Sequence, residues 1–242
     1  MLVANPKKFQ MMLLGTDINQ CFEIKIENFL IKNSNSVELL GIVFDSNLSF
    51  EAHILGLCQS ANYNVMRLNR IRKFITYKQS LLLFNAFIIS YFMYAPIVWM
   101  FCSKTLYQRI NKVFRRGVII LNSVSPEADL PVRSPTSIHE LHLRQLLSEV
   151  FKSQNSENPL FMAWLFPSRK ISYNLRSTNL VSIPKNVLTV RHGFNSFPFR
   201  ASILWNKLPD EIKNSKDISI FKSKLSRLDL LKLCTCNICK NY

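Results

Sequence analysis

The spacing of apolar positions changes along the chain, and each change predicts a different element. Near the N-terminus a short apolar run, Lys8 to Leu14, precedes an alternation in which Glu23, Lys25 and Glu27 separate Phe22, Ile24 and Ile26. A period of two is the mark of a half-buried strand. Asn33 to Ser36 is a cluster of turn-forming residues, and Val37 to Phe44 (VELLGIVF) reads as a further apolar strand. Turn and strand together suggest a hairpin closing a sheet whose remaining strands lie outside this chain.

From Ser49, which can cap a helix start, the period becomes helical: Ile54, Leu57, Cys58, Ala61, Val65, Leu68 and Ile71 fall on one stripe. A second helix is expected from about Lys78 to Tyr94, ending at Pro96. A third follows Ser103, with Leu106, Ile110, Val113, Phe114, Gly117, Val118 and Leu121 as its apolar stripe. Ser123 to Thr136, with Pro126, Pro131 and Pro135, reads as a linker. Ser137 and Glu140 form a capping box that opens a short amphipathic helix through Phe151, with Leu141, Leu147, Val150 and Phe151 on one side. From Ser153 to Phe199 the chain is rich in Asn, Ser and Pro, which predicts loops and short strands. Helices return at Pro209 to Lys213 and at about Ile218 to Leu233, where Phe221, Leu225 and Leu228 repeat. The expected fold is α+β and mainly helical. A small N-terminal β region (1–48) leads into a helical bundle (49–122), a linker (123–136) and a mixed C-terminal domain (137–242) with a cysteine-rich tail.

Charge adds a partner class to this outline. Lys and Arg number 31 against 15 Asp and Glu, a net charge of +16, which attracts phosphate polymers or anionic membranes. Between Glu51 and Arg116 there are ten Lys and Arg and a single acidic residue. The third helix carries Lys104, Arg109, Lys112, Arg115 and Arg116 on its polar face; the first carries Arg67 and Arg70 and ends on Arg72 and Lys73. Such an imbalance on helix faces is the footprint of a surface laid against a nucleic-acid backbone. The preference of helix C-termini for cations accounts for Arg70 to Lys73 but not for Arg109 to Arg116. Only 5 glycines occur, which argues against glycine-rich phosphate loops.

Leu81 to Phe101 runs 21 residues without a charge, close to a membrane span in length. Asn85, Ser90 and Pro96 interrupt it, so a buried helix stopping just before Pro96 explains it equally well. Met1 leads into Val3, Asn5, Pro6, Lys7 and Lys8 with no apolar signal region. An intracellular, reducing compartment is therefore expected, with Cys21, Cys58 and Cys102 as ordinary thiols within apolar segments.

A search for catalytic chemistry returns little. Phosphoryl transfer by two metals needs carboxylates that hold ions about 4 Å apart, and no two of the aspartates are adjacent. Asp210 and Glu211 follow Pro209 and read as a helix-start pair. His139 and His142, in IHELH, lack the H-E-x-x-H spacing of zinc proteases and read as two surface histidines on a helix. No G-x-S-x-G, P-loop or G-x-G-x-x-G occurs. The tail differs. Cys234, Cys236 and Cys239, in CTCNICK, have C-x-C and C-x-x-C spacings that let thiolates share one Zn²⁺ at about 2.3 Å. A structural site wants four ligands. The fourth is left to a distant residue, another chain or something missing, and an unliganded tail remains the alternative.

Taken in order, these segments resemble one family. NPKKF (Asn5 to Phe9) looks like the motif D segment of LINE-type, non-LTR retrotransposon reverse transcriptases. VELLGIVFDSNLSFEAHI (Val37 to Ile54) resembles their motif E hairpin running into the thumb. LLLFNAFIISYFMYAPIVWMFCSK (Leu81 to Lys104), SIHELHLRQLLSEVFK (Ser137 to Lys152), YNLRS (Tyr173 to Ser177), LWNKLPDEIKN (Leu204 to Asn214), FKSKL (Phe221 to Leu225) and CTCNICK continue the series. The match is nearest the jockey-like elements.

The resemblance implies that Lys8 sits near the incoming nucleotide's phosphates and that Leu40 and Gly41 belong to a primer-grip hairpin. It implies that the helices with Arg67, Arg70, Arg72, Lys73, Arg109, Lys112 and Arg116 form a thumb against RNA–DNA template–primer. It also makes Leu81 to Phe101 a buried helix. In the family the fingers, most of the palm and the aspartates that hold Mg²⁺ precede the segment matched here. The expectation is therefore a truncated, catalytically empty RNA-directed DNA polymerase that retains nucleic-acid binding. A structural relic without ligand and a small membrane protein spanning 81–101 are the alternatives.

Overall fold

The computed structural model describes residues 5, 8–15, 21–26, 29–123, 137–155, 157–169, 179–185, 187, 189 and 193–239. Pro6 and Lys7 of the NPKKF segment, most of the proposed linker and the whole of YNLRS lie outside the described residues. The architecture is α+β and mainly helical, as expected.

Strands β1 (Glu23–Ile26) and β2 (Phe29–Lys32) form one antiparallel hairpin; β3 (Ser36–Leu39) and β4 (Ile42–Asp45) form another. The run Val37 to Phe44 is thus a hairpin, not one strand. It reverses at Leu40 and Gly41, which take φ of 51° and 77°. Two successive positive φ values match the right-handed twist of the strands they join, and only glycine takes such a value without strain. Period two in β1 reported the pleat but not its cover, for Phe22 and Ile24 are about half exposed.

Asp45 joins sheet to bundle. Its carboxylate accepts from the backbone N–H groups of Asn47, Ser49 and Phe50 and from the Ser49 hydroxyl. Burial pushes this carboxyl up, and those donors outweigh the push and hold it below its ordinary range. Helix α1 (Glu51–Ile71) starts there, with Phe50 rather than Ser49 at the cap position.

The charge-free run is no single helix. It divides into α2 (Tyr77–Phe84), a π-helical turn at Asn85–Ile89, α3 (Ser90–Met93) and α4 (Pro96–Trp99). The chain turns at Ala95, φ 41°, ahead of Pro96, whose ring cannot continue a helix. Phe84, Ile88, Phe92 and Trp99 face inward, whereas Leu82 and Phe87 stay exposed. Among the described residues no helix is long and apolar enough to cross a membrane.

Helix α5 (Lys104–Asn122), capped by Ser103, packs along α1. The Arg116 guanidinium donates to Asn62 and that of Arg72 to Ser123, so the two helices run parallel. Gly117 makes room for α2 against α5: a Cβ there would lie 2.5 Å from a Phe84 ring carbon. Gly117→Ala is expected to destabilise by about 1–3 kcal/mol through overpacking, read as a lower denaturant midpoint with an unchanged slope.

Helix α6 (Ile138–Gln154) lies between two cores. Its Ile138 belongs to the core built by α1 to α5, with Ile54, Val65, Phe92 and Phe114. Its Leu143, Leu146, Leu147, Val150 and Phe151 belong to a second core with Trp205, Phe221 and Leu225. The second core also uses α8 (Phe197–Asn206), α9 (Asp210–Lys213), α10 (Ile218–Ser226) and α11 (Leu230–Leu233). The short α7 (Leu160–Leu165) stands between α6 and α8 in sequence. α8 and α7 fill part of the segment read as loops, and the helix expected over Ile218 to Leu233 breaks into α10 and α11. Ser137 caps α6 as predicted, accepting from the Glu140 backbone, while the Glu140 carboxylate takes the Arg144 guanidinium at 2.6 Å.

Being flanked on two sides, α6 buries both of its histidines. His139 and His142 are 0% and 1% exposed, which corrects the surface reading of both. His142 donates from Nε2 to the Phe92 carbonyl at 2.7 Å and sets its ring edge-on to Trp99. Burial, with help from neighbouring His139, pushes its pKa down to about 3 from 6.5. The unfolded chain therefore binds a proton that the folded chain refuses, and stability is lost as pH falls below about 6.5. The slope is about 1.4 kcal/mol per pH unit. His142→Gln should remove that slope from the acid limb measured by urea unfolding between pH 6.5 and pH 5.

Candidate metal centre and basic helix face

The tail beyond α11 folds back on α6. Asp229 caps α11 by accepting from the Lys232 backbone, and the Cys234 N–H closes the turn on the Leu230 carbonyl. Cys236 and Cys239 share a tight turn in which the Cys239 N–H donates to the Cys236 carbonyl at 3.1 Å. The turn places the tail thiols against His139, whose Nε2 lies 3.2 Å from the Cys236 sulfur. The ligand atoms of His139, Cys234, Cys236 and Cys239 all lie within 4.8 Å of one another.

This cluster can hold a metal ion. A tetrahedral ion with bonds of about 2.3 Å sets sulfur–sulfur edges of about 3.8 Å, so closure onto an ion needs shifts of no more than about 1 Å. His139, Cys236 and Cys239 are buried and Cys234 is half-buried, as in the closed ligand sets of structural sites. The Tyr107 ring from α5 stands edge-on to His139 at 5.5 Å, and Tyr107 and Ile238 complete a small apolar shell.

The electrostatics follow from the same contacts. The Cys234 and Cys239 thiols hydrogen-bond to the Cys236 sulfur and hold it below the usual thiol range, against burial and with His139 assisting. Cys234 is pushed up, first by its bond to Cys236, and Cys239 is pushed up by its bonds to both neighbours. A metal ion bound by these sulfurs would take the place of the protons they share. Among the described residues His139 Nδ1 has no hydrogen-bond partner, which leaves Nε2 as the nitrogen facing the thiols.

The sequence located the three thiols and missed the imidazole. His139 lies 97 residues from Cys236, so no local spacing connects them. The signals available were a tail one ligand short and a histidine pair without a role. The remaining cysteines form no site: Cys58 is buried with its thiol raised to about 11, Cys102 is half-buried with its thiol raised to about 12, both chiefly by burial, and Cys21 is exposed. Asp210 holds the buried Lys213 ammonium at 3.3 Å and starts α9, as a helix-start residue should.

The predicted nucleic-acid residues gather on the α1–α5 pair. Arg109, Lys112 and Arg116 recur at helical spacing and are all exposed. Arg116 reaches Asn62 on α1, so this face borders that helix. Arg67 lies 4.2 Å above the Tyr63 ring, which fixes the guanidinium by cation–π attraction. Arg70 and Lys73 are exposed, and Arg72 leans on Ser123 at 2.6 Å. Among the described residues none of these seven cations forms an ion pair with a carboxylate. Among the described residues no paired carboxylate offsets the positive field of this surface.

The nucleotide and primer residues stand apart from that face. Leu40, 81% exposed, tips the β3–β4 turn, and its carbonyl accepts from the Tyr94 hydroxyl at 2.6 Å. Gly41 lies beside the same tyrosine ring. Lys8 is exposed, and its backbone N–H donates to the Asn5 carbonyl at 3.0 Å. No family model, no curated protein and no solved structure matches the chain.

Proposed function

We propose that this chain is the thumb and C-terminal region of a LINE-type reverse transcriptase, acting as a binding module for RNA and DNA template–primer. The observation that carries the proposal is the concentration of seven cations on α1, the turn that follows it and α5, none of them ion-paired among the described residues. Cations held on helices suit contact with phosphates whatever the base sequence. The family resemblance supplies the identity of the duplex. It also supplies the roles of Lys8 beside the incoming nucleotide and of Leu40 and Gly41 beside the primer end. No polymerase step is assigned to the chain, because its described aspartates serve the fold: Asp45 braces the start of α1, Asp210 holds Lys213, and Asp217 and Asp229 cap α10 and α11.

The ion in this proposal is zinc. Three thiolates and one imidazole with closed tetrahedral spacing form a structural zinc set, and soft sulfur donors disfavour magnesium and calcium. His139, Cys234, Cys236 and Cys239 would hold it, and its contribution is charge and connectivity. Thiolate ligands and a nucleic-acid partner both fit a cytoplasmic or nuclear location.

Two measurements test these readings. Filter binding on primer–templates of unrelated sequence should give one affinity for all of them; binding confined to one sequence, or absent, overturns the thumb reading. Elemental analysis of the purified chain should find one zinc per chain, and cobalt substitution should give thiolate-to-cobalt charge-transfer absorption; a metal-free chain that rejects both ions overturns the zinc reading.

A further inference from the structure

The metal centre lies where the two cores meet. Phe101 packs against both the second core and the metal shell, and Cys102 against both the first core and that shell. Leu231 and Cys234 likewise belong to the second core and the shell together. The ligands themselves come from α6, which the two cores share, and from a tail that carries no regular element after α11 except its closing turn.

Little else fastens that tail. Of residues 234–239 Ile238 alone offers a buried aliphatic side chain. The described polar ties from outside the segment are the Cys234 N–H to the Leu230 carbonyl at 3.0 Å, the Arg200 guanidinium, 3.3 Å from the Thr235 carbonyl, and the His139 contact itself. Lys207 holds the carbonyl of Leu233, the residue before. The tail nevertheless covers a set of apolar side chains, Phe101, Leu143, Leu146 and Leu204, around a small cavity. Sulfhydryl hydrogen bonds are weak, and the three tail thiols contribute little holding force until an ion makes them ligands.

From this we infer that the ion is the fastening of the two halves: it ties the C-terminal tail to α6 and α5 at the core junction. Metal loading thereby sets the rigidity of the start of α5, immediately before its basic face. The inference rests on the zinc reading above and adds a purpose to it. Tyr107 is the link on α5, since it touches His139 through its ring and precedes Arg109 and Lys112 on the same helix.

The test is hydrogen exchange on the full chain, zinc-loaded and after chelation, with bound zinc measured in both samples. Chelation should speed exchange at least tenfold more in residues 230–239 and at the N-terminal turns of α5 than in α2 and α10. His139→Gln should reproduce the chelated pattern in the presence of zinc, and Cys102→Ser, a neighbour that is no ligand, should not. A chain that binds one zinc, yields it to the chelator and keeps a protected tail overturns the fastening while leaving the zinc reading intact. A chain that never binds zinc overturns both. Equal loss of protection throughout the molecule also overturns it, since the ion would then hold the whole fold rather than this joint.

Discussion

Cys236→Ser is expected to abolish stoichiometric zinc and to lower the melting temperature by roughly 10 °C. Cys236 is central to the cluster: its sulfur lies 3.2 Å from His139 Nε2 and within 4.8 Å of both other thiols. Serine keeps the volume but is no thiolate, so three ligands remain where the tetrahedral ion wants four. A ligand that binds only the folded state stabilises it by about 4 kcal/mol when its free concentration is a thousandfold above the dissociation constant. For a chain of this size each kcal/mol moves Tm by about 2–4 °C. Calorimetry at fixed free zinc checks the value. The variant and a chelated wild-type chain should melt together, because both lack the same interaction; a variant that melts with zinc-loaded wild type removes the metal from the stability of the fold.

Neutralising the basic face has the largest expected effect on binding. The triple variant Arg109→Gln, Lys112→Gln, Arg116→Gln removes three of the seven proposed phosphate contacts without touching a buried residue. Each lost contact withholds the release of about 0.9 counterion, so the slope of log affinity against log salt should become shallower by about 2.7. At physiological salt this is worth about 1 kcal/mol per contact, or about a hundredfold for the three. The loss should be uniform over primer–templates of different sequence, as expected for contacts that read phosphates and not bases. Equilibrium titration by fluorescence anisotropy, with circular dichroism to show an unchanged helix content, measures it. Unchanged affinity in a folded triple variant assigns no ligand to this face.

How much of this could be read from the chain varies with the range of the interaction. The third predicted helix is α5 with its predicted cap, because Ser103 and a regular apolar stripe are local signals. The second helix was harder to place. Its apolar residues are nearly continuous, so periodicity could not show the π turn at Asn85–Ile89 that re-registers Ile88 and Phe92 into the core. The reversal inside VELLGIVF was hidden because Leu40, a poor turn residue by type, adopts positive φ beside the one permissive glycine. α8 was missed in a segment punctuated by Asn, Ser and Pro, although Pro198 occupies the first turn, where proline is tolerated.

The site divides in the same way. Three thiols close in sequence mark a candidate metal site, since the turn that gathers them is short. The imidazole comes from a helix across the core junction, and the polar sequence around it, His139, Glu140 and His142, reads as surface. Burial of all three follows from α6 lying between two cores, a tertiary fact that α6 does not encode. The basic face was legible because charge needs no partner in the chain to be seen.

The most direct test of the binding account is the salt dependence of wild-type affinity for a primer–template duplex, measured from low to physiological salt. Seven phosphate contacts predict a linear fall in log affinity with a slope approaching −6. A flat response, or no binding at low salt, contradicts the account.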